Sequence, residues 1–552
     1  MPTIKMWSRG TRESGFSRSS VAPARRLFKA LLVVLSVCCL SPATRAAQQQ
    51  GPELLTYEEL VRLYEQETPS EPLRKKLDRL LTIPFVNNRA SARGVRPLKP
   101  QTAKLGRHLR VALWNIERGL EYEAIESAFT DPARFSSLLN RSKYPRGSRQ
   151  RAEVLQQVKL MQEADVVVLN EVDWGLKRTG YRNVVEDLAS ALRMNYAYGV
   201  EFVEIDPISL GIEKFEGTEP EERADFIEQT KVDTSRYKGL HGTAILSRFP
   251  LDNVRLIPFK FQPHDWYEDE KKGATRIEKG KRKASEVAFL EKAYREVRRG
   301  GRMMLLADIV DQEIPEGRMT IVATHLEAKT KPGNRVKQLE ELLAQIKEIK
   351  HTVVVAGDMN TSTRDATPTS IRREIKKRLG SKKFWVKSVL KYGLGFDLPY
   401  RLAALGLNEY RKQADPTVRS IPLVASNPEA KFFDVLRDFR FTDGGAFDFR
   451  GERARSIGDS TETLANSNER GGKGFVTTYE VERTLGFAGK FKLDWFFVKP
   501  PALTEPYGTQ QPYRFAPHFG RTLKALNQSI EDRISDHEPL TVDLPLAEPR
   551  IR

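Results

Sequence analysis

The sequence predicts a layered α/β sandwich. Three observations lead there. Apolar runs of strand length recur across residues 108–547. Amphipathic stretches of helical period separate only some of them. Their spacing is too irregular for the strict βαβ repeat of a doubly wound sheet.

The N-terminus stands apart. Arg25, Arg26 and Lys29 precede the apolar run ALLVVLSVCCL, Ala30 to Leu40, and the small-residue exit SPATRAA. A basic n-region, a short h-region and small residues predict a secretory signal over residues 1–46, cleaved after Ala46. The run is short for a membrane span, and ARRLFK is similar to a twin-arginine export signal. The expected location is periplasmic or secreted, with membrane tethering if the signal stays uncut. Cys38 and Cys39 both fall in the h-region, which leaves an exported chain without disulfides or cysteine metal ligands. The 552 residues carry +18, and residues 1–46 hold eight Lys/Arg and one Glu, so the remainder is 18 − 7 = +11. A basic chain favours anionic partners.

Residues 47–107 read as a helical leader and linker. Thr56–Glu59 (TYEE) forms a capping box ahead of Leu60 and Leu63, and Leu73, Leu77, Leu80 and Leu81 follow at helical spacing. The alternating body begins at residue 108 with LRVALWNIERG, whose period places Asn115 and Glu117 on the same face as Leu113. ADVVVLNEVDWG, HGTAILSRFPL, MTIVATHLEA, TVVVAGDMN, KLDWFFVKP and ISDHEPLTVDL are the later strands. NRVKQLEELLAQIKEIK is an amphipathic helix with Val336, Leu339, Leu342, Leu343, Ile346 and Ile349 on its apolar side. A long insertion is expected at about 361–487. Within it FFDVLRDFRFTDGG belongs to the core, and Ser456 to Gly474 is expected to be a mobile loop.

The strands share a design: an apolar body and a polar tip. The tips carry Asn115 and Glu117; Asn170, Glu171 and Asp173; His325; Asp358 and Asn360; Asp494; and Ser535, Asp536 and His537. One such tip is usually a cap or a solvated end. Six together predict a hard-cation site beside acid/base groups. Oxygen ligands without cysteine favour Mg²⁺, with Mn²⁺ or Ca²⁺ as alternatives, and histidine is the natural proton carrier near neutral pH. In VVVAGDMN, alternation places Asp358 and Asn360 on one side, and Gly357 is expected to keep the backbone from crowding a phosphate.

The ordered set LWNIERG, VVVLNEVDWG, HGTAILSRFPL, VATHLEA, VVAGDMNTS, KLDWFFV and SDHEPLTVDL resembles the endonuclease/exonuclease/phosphatase superfamily over about residues 108–547. The resemblance implies a four-layer, deoxyribonuclease I-like α/β sandwich of two mainly antiparallel sheets flanked by helices. It implies metal-assisted hydrolysis of a phosphoester by water. Glu171 would be the principal metal ligand, with Asn115 and Asp536 in or near the coordination shell and Glu117 holding a metal water. His537 would be the general base, oriented by Asp494. Asp358 would align the water or the base, Asn360 would donate to phosphoryl oxygens, and His325 would serve the leaving-group side. The THLEA form is similar to the deoxyribonuclease I and sphingomyelinase branches; the exonuclease III branch has a different segment there.

The substrate is less defined. Residues 371–388 hold eight Lys/Arg and one Glu beside Phe384 and Trp385. Lys376, Lys377, Lys382 and Lys383 there, with Arg335, are the candidate substrate-binding cations. An exported phosphodiesterase acting on nucleic acid is the first expectation. A phospholipid- or inositol-phosphate-directed phosphoesterase is the alternative, and a catalytically silent binding module is the third. Nothing in the sequence points to a stable protein partner.

Overall fold

The structure is a computed structural model that describes residues 51–102, 105–205, 210, 231–272, 296–361, 416–417, 420–421, 425–471, 474–485, 488–501 and 518–547. Numbered along the chain, the strands of its two large sheets are β1 (Phe85–Asn87), β2 (Gln101–Thr102), β3 (Gly106–Arg118), β4 (Val166–Trp174), β5 (Asn195–Glu204), β6 (Leu240–Ser247), β7 (Leu251–Pro258), β8 (Arg298–Gly300), β9 (Met303–Val310), β10 (Arg318–His325), β11 (Thr352–Asp358), β12 (Asp494–Lys499), β13 (His518–Thr522) and β14 (Leu540–Pro545). The first sheet runs β1-β5-β6-β4-β3-β14-β13, with β2 beside β3 and β8 beside β5. The second runs β12-β11-β10-β9-β7. All pairings are antiparallel except β3 with β4 and β10 with β11.

Apolar side chains on both faces of these strands stack the layers. Leu109, Val111, Leu113, Val166 and Val168 of the first sheet meet Leu305, Ile321, Ala323, Val354 and Phe496 of the second in a central core. The opposite face of the first sheet, with Ala112, Trp114, Val167 and Leu169, packs on helices Tyr122–Thr130, Arg149–Gln162 and Val184–Leu192. The opposite face of the second packs Val353, Val355, Trp495 and Phe497 on helices Pro332–Ile346 and Ala430–Asp438. The architecture is therefore helix, sheet, sheet, helix: a four-layer α/β sandwich of mainly antiparallel sheets. Strands buried on both faces read as continuous apolar runs, as VVVL and VVVA do.

The leader is woven into this body. The Thr56 hydroxyl accepts from the Glu59 amide at 3.3 Å, and the Glu59 carboxylate accepts from the Thr56 amide at 2.8 Å. Leu60, Leu63, Leu73, Leu77 and Leu80 join the core outside the first sheet, and β1 pairs with the edge of β5.

The segment from Ser456 onward differs from the expected mobile loop. Asn466, Ser467 and Asn468 are buried. The Asn468 side chain donates to the Phe496 carbonyl at 2.9 Å and accepts from the Phe496 amide at 3.1 Å, pairing with the free edge of β12. Polar, Gly-rich composition signalled a surface loop here, whereas these side chains satisfy a strand edge that would otherwise lack partners.

Candidate active site

Register assembles the site. The C-terminal end of β10 pairs His325 with Asp358 of β11, and β11 pairs Asp358 with Asp494 of β12. Three polar residues thus occupy one rung at the edge of the second sheet. In the first sheet, parallel pairing aligns Asn115 with Asn170. The Asn170 side chain clasps the two sheets together: it accepts from the Asp358 amide at 3.0 Å and donates to the Thr324 carbonyl at 3.1 Å.

Bulges aim the carboxylates. The β3–β4 register shifts between Asn115 and Arg118, and the β4–β6 register shifts between Leu169 and Val172. Glu117 and Glu171 sit at those shifts with φ of +46° and +52°, and Asn360 follows β11 at +48°. Such left-handed backbone costs a non-glycine residue about 1–3 kcal/mol and persists where the surroundings enforce it. Simple alternation therefore does not place Glu117 or Asn360; local breaks in the strands do. Met359, between the two polar residues, is buried in the core outside the second sheet.

Asp358 is the hub. Its Oδ1 accepts from the Asn360 amide at 2.9 Å. Its Oδ2 accepts from Asn115 Nδ2 at 3.3 Å and lies 3.5 Å from His325 Nε2 and 3.7 Å from His537 Nε2. His537 Nδ1 pairs with Asp494 Oδ2 at 2.8 Å. Asn115 Nδ2 also reaches Glu171 Oε1 at 3.1 Å. The backbone amide of Asp536 donates to Glu117 Oε2 at 3.1 Å. The turn bearing Asp536 and His537 is fixed by the Ser535 hydroxyl, which donates to the Asn115 carbonyl at 2.7 Å, and by Trp114 Nε1, which donates to the His537 carbonyl at 3.0 Å. All nine predicted catalytic and metal positions are buried, and these contacts and the Asp536–His537 turn link them into one cluster.

Negative charge is in excess. Burial, then neighbouring Asp494, pushes the Asp358 carboxyl up to about 7. Burial pushes the His537 imidazole down, but Asp494 and Asp358 outweigh it and hold it well above the ordinary histidine range. His325 is pushed well below that range by burial and by Arg302. Glu171 Oε2 and both carboxylate oxygens of Asp536 are buried and make no hydrogen bond among the described residues. Arg118 Nε stands 3.9 Å from Glu171 Oε2, beyond hydrogen-bond reach; buried carboxylate oxygens so poorly paired are costly unless a cation takes them, so this donor set fits a hard divalent ion. Asp358, Asp494 and His537 also place one potential ligand atom each within 4.8 Å of one another. In that set Asp494 Oδ2 and His537 Nδ1 already bond each other, while Asp494 Oδ1 is buried without a hydrogen bond among the described residues and joins the orphaned oxygens.

Several residues depart from expectation. Arg335 is not presented to a substrate: it is 1% exposed, pairs with Glu429 at 3.2 Å and donates to the Thr330 carbonyl at 3.3 Å. A helical position on the apolar side buried it, and a carboxylate inside the fold neutralised it. Lys376, Lys377, Lys382 and Lys383, with the whole 371–388 arm, lie outside the described residues, as does the signal segment. Gly357 has a different reason from the one expected. A Cβ there would lie 1.8 Å from the Thr324 carbonyl oxygen, so the close approach of β10 by itself requires glycine. One amide hydrogen of Asn360 is committed to the Leu326 carbonyl at 2.9 Å, leaving its second N–H for another acceptor.

Sequence reasoning missed Glu201. Its Oε2 lies 4.0 Å from His325 Nδ1 and 2.7 Å from Arg302 Nη1, and its Oε1 accepts from Thr243 at 2.5 Å. The available signal was a carboxylate, Glu201, set between apolar residues in mid-strand of β5. The missed role of Asn170, the clasp, depends on contact between sheets and left no local trace.

Among solved structures, the chain is similar to an endonuclease/exonuclease/phosphatase from Beutenbergia cavernae DSM 12333, with 16% identity, TM-score 0.35, and coverage of 80% of this chain and 73% of that one. It is similar to D. rerio TDP2 complexed with single strand DNA product, with 15% identity, TM-score 0.30, and coverage of 79% and 98%. It is also similar to an endonuclease/exonuclease/phosphatase from Bacteroides vulgatus, with 14% identity, TM-score 0.33, and coverage of 80% and 99%. Comparison with curated proteins finds no significant match. The model of the Endonuclease/Exonuclease/phosphatase family matches residues 112–537, a span that runs from β3 to His537 and takes in every residue of the buried cluster. The chain belongs to the endonuclease/exonuclease/phosphatase family.

Proposed function

We propose that the protein is an exported, divalent-metal-dependent phosphodiesterase that hydrolyses its substrate by direct attack of water, with nucleic acid as the substrate class. The observation that carries the chemistry is the pairing of orphaned buried carboxylate oxygens on Glu171 and Asp536 with the adjacent His537–Asp494 couple. Glu171 and Asp536 would hold the ion, with Asn115 and Glu117 supporting them. Mg²⁺ is the expected ion, with Mn²⁺ or Ca²⁺ as substitutes. When bound, it supplies a positive charge that polarises a phosphoryl oxygen and stabilises charge in the transition state.

The chain's own groups do the rest. Asp494 accepts from His537 Nδ1, which leaves Nε2 as the atom that takes a proton from water. Asp358 faces that Nε2 and fixes the direction of transfer. Asn360 donates its second N–H to a phosphoryl oxygen. His325, with Glu201 4.0 Å from its Nδ1, stands on the leaving-group side. The burial of these groups excludes bulk water and strengthens each charge interaction. The basic n-region and apolar run of residues 1–46 support export, and the net positive charge supports an anionic polymer substrate.

The test offers the full chain a small diester, bis-p-nitrophenyl phosphate, then oligonucleotides and sphingomyelin liposomes, each with Mg²⁺, Mn²⁺ or EDTA. Diester hydrolysis that EDTA abolishes, together with oligonucleotide cleavage, is expected. Full activity in Glu171→Ala or in EDTA would sink the metal assignment. Headgroup release without oligonucleotide cleavage would move the substrate to phospholipid.

A further inference from the structure

We propose that the loop 139–149 is a phosphate-binding ledge that holds a polynucleotide strand beside the active site; this rests on the phosphodiesterase reading above and names its substrate class. The sequence supplies the charge. From Pro132 to Ala152 there are six Lys/Arg and no carboxylate. Arg141, Lys143, Arg146 and Arg149 are exposed, and none forms an ion pair among the described residues. A run of like charge is commonly a solvated surface. Three observations separate this one from that case.

The first is position. Parallel pairing of β3 and β4 requires the connecting chain to return from the site end of the sheet to its far end. Helix Arg149–Gln162 makes that return over 14 residues, roughly 21 Å at the α-helical rise. Its first residues and the loop before it therefore lie at the site end. The second is attachment. The Asn140 amide donates to the Ser529 carbonyl at 2.9 Å, and the Tyr144 hydroxyl donates to the Gln528 carbonyl at 3.3 Å. The same turn holds the site: Asn527 accepts from the Ser535 amide at 2.9 Å and donates to the Ser535 carbonyl at 2.8 Å, one residue before Asp536. The third is order. Asn140 Oδ1 accepts from the amides of Ser142 and Lys143 at 3.0 and 3.1 Å. Arg151 reaches inward to the carbonyls of Tyr144 and Ser136 at 3.2 and 3.1 Å. One arginine sets the loop's shape while the four exposed cations remain for phosphates.

The occupant follows from what the loop lacks. Docking on a bilayer uses apolar side chains between the cations. The exposed residues here are Arg141, Ser142, Lys143, Pro145, Arg146, Gly147 and Arg149, with no large apolar anchor among them. Unpaired cations on an ordered backbone beside a phosphodiester site suit a phosphate chain.

The experiment measures oligonucleotide cleavage by the full chain across a salt series. It compares wild type with R141A/K143A/R146A/R149A, and the thermal midpoint of the variant is the check on folding. The variant is expected to melt within a few degrees of wild type and to show a KM at least tenfold higher at low salt. The slope of log KM against log salt is expected to fall by about 2–3, since each single-strand phosphate contact contributes about 0.7. An unchanged KM and slope, in a wild type that does cleave oligonucleotides, would overturn the ledge and leave the nuclease reading intact. Wild-type hydrolysis of bis-p-nitrophenyl phosphate without oligonucleotide cleavage would overturn the polynucleotide assignment alone. Loss of binding to phosphatidylserine vesicles in the variant, with oligonucleotide KM unchanged, would reassign the ledge to a membrane surface. No hydrolysis of any diester by wild type would overturn the proposed function beneath it.

Discussion

Two buried His–Asp pairs sit in this fold with nearly the same geometry. His537 Nδ1 lies 2.8 Å from Asp494 Oδ2, and His241 Nδ1 lies 2.9 Å from Asp173 Oδ1. Their surroundings differ. Arg178 grips Asp173 through two nitrogens, at 2.6 and 3.0 Å, and grips Glu204 at 2.8 and 3.0 Å. Burial would raise the Asp173 carboxyl, but Arg178 and His241 outweigh it and hold it below the usual carboxylate range. Around His537 stand Asp494, Asp358 and Asp536, with no arginine or lysine in hydrogen-bond contact among the described residues. Arg298 also stands 3.5 Å from Glu204, so two arginines answer the two carboxylates and the first cluster is balanced without an ion. The second is short of positive charge, and so it can take up a cation or a proton. A His–Asp contact does not by itself mark catalysis; the charge left over around it does.

The largest effect should come from the unbalanced pair. His537→Ala is expected to lower kcat/KM for a small diester by about 10²–10⁴-fold, the usual share of a general base, while circular dichroism stays native. His241→Ala should keep kcat/KM within about threefold and lose about 1–3 kcal/mol of stability in a urea titration. The reverse pattern would make His241 the reactive histidine. Next in size is Arg178→Met, which strands Asp173 and Glu204. Urea unfolding should show a loss of about 3–5 kcal/mol, as for a broken buried ion pair. A loss under about 1 kcal/mol would mean the cluster is not charge-balanced by Arg178.

Removing the ion probes the other side. Saturating Mg²⁺, near 100 times its Kd, should stabilise wild type by about 2.7 kcal/mol in differential scanning fluorimetry or urea titration. Glu171→Gln should abolish most of that gain, and Arg178→Met should keep it. An equal gain in Glu171→Gln would place the ion elsewhere, with Asp358 and Asp494 as the next candidates.

The fold was legible because its strands announce themselves: VVVL, VVVA and DWFFV are runs that only a sheet buried on both faces requires. The site was legible because polar tips ended those runs, and the register of His325, Asp358 and Asp494 brings three tips to one rung. What stayed hidden depends on contact across layers. Asn170 works only because β4 and β10 meet, Glu201 only because β5 passes behind His325, and the burial of Arg335 was decided by Glu429, 94 residues away in sequence. The bulges at Glu117 and Glu171 were hidden for another reason: alternation assumes an unbroken strand, and a single inserted residue reverses every side chain beyond it.

The smallest effect is also the finest test of the charge argument. His537 must be neutral to accept a proton, and Asp494 and Asp358 favour its charged form. In the metal-free protein, the titration limb of His537 followed by NMR should therefore lie above the ordinary histidine pKa of about 6.5. Asp358→Asn removes one of those carboxylates, so the limb should move to lower pH even as the maximal rate falls. Stability should follow the same sign. A histidine whose folded pKa exceeds its unfolded one contributes stability that is complete below the unfolded value and lost as pH rises through the folded value. Urea titrations of metal-free wild type should thus weaken as pH climbs past neutrality, and Asp358→Asn should begin that decline at lower pH. A limb that stays in place in Asp358→Asn would show that the carboxylate does not set the charge of His537, and a limb that moves upward would contradict the charge argument outright.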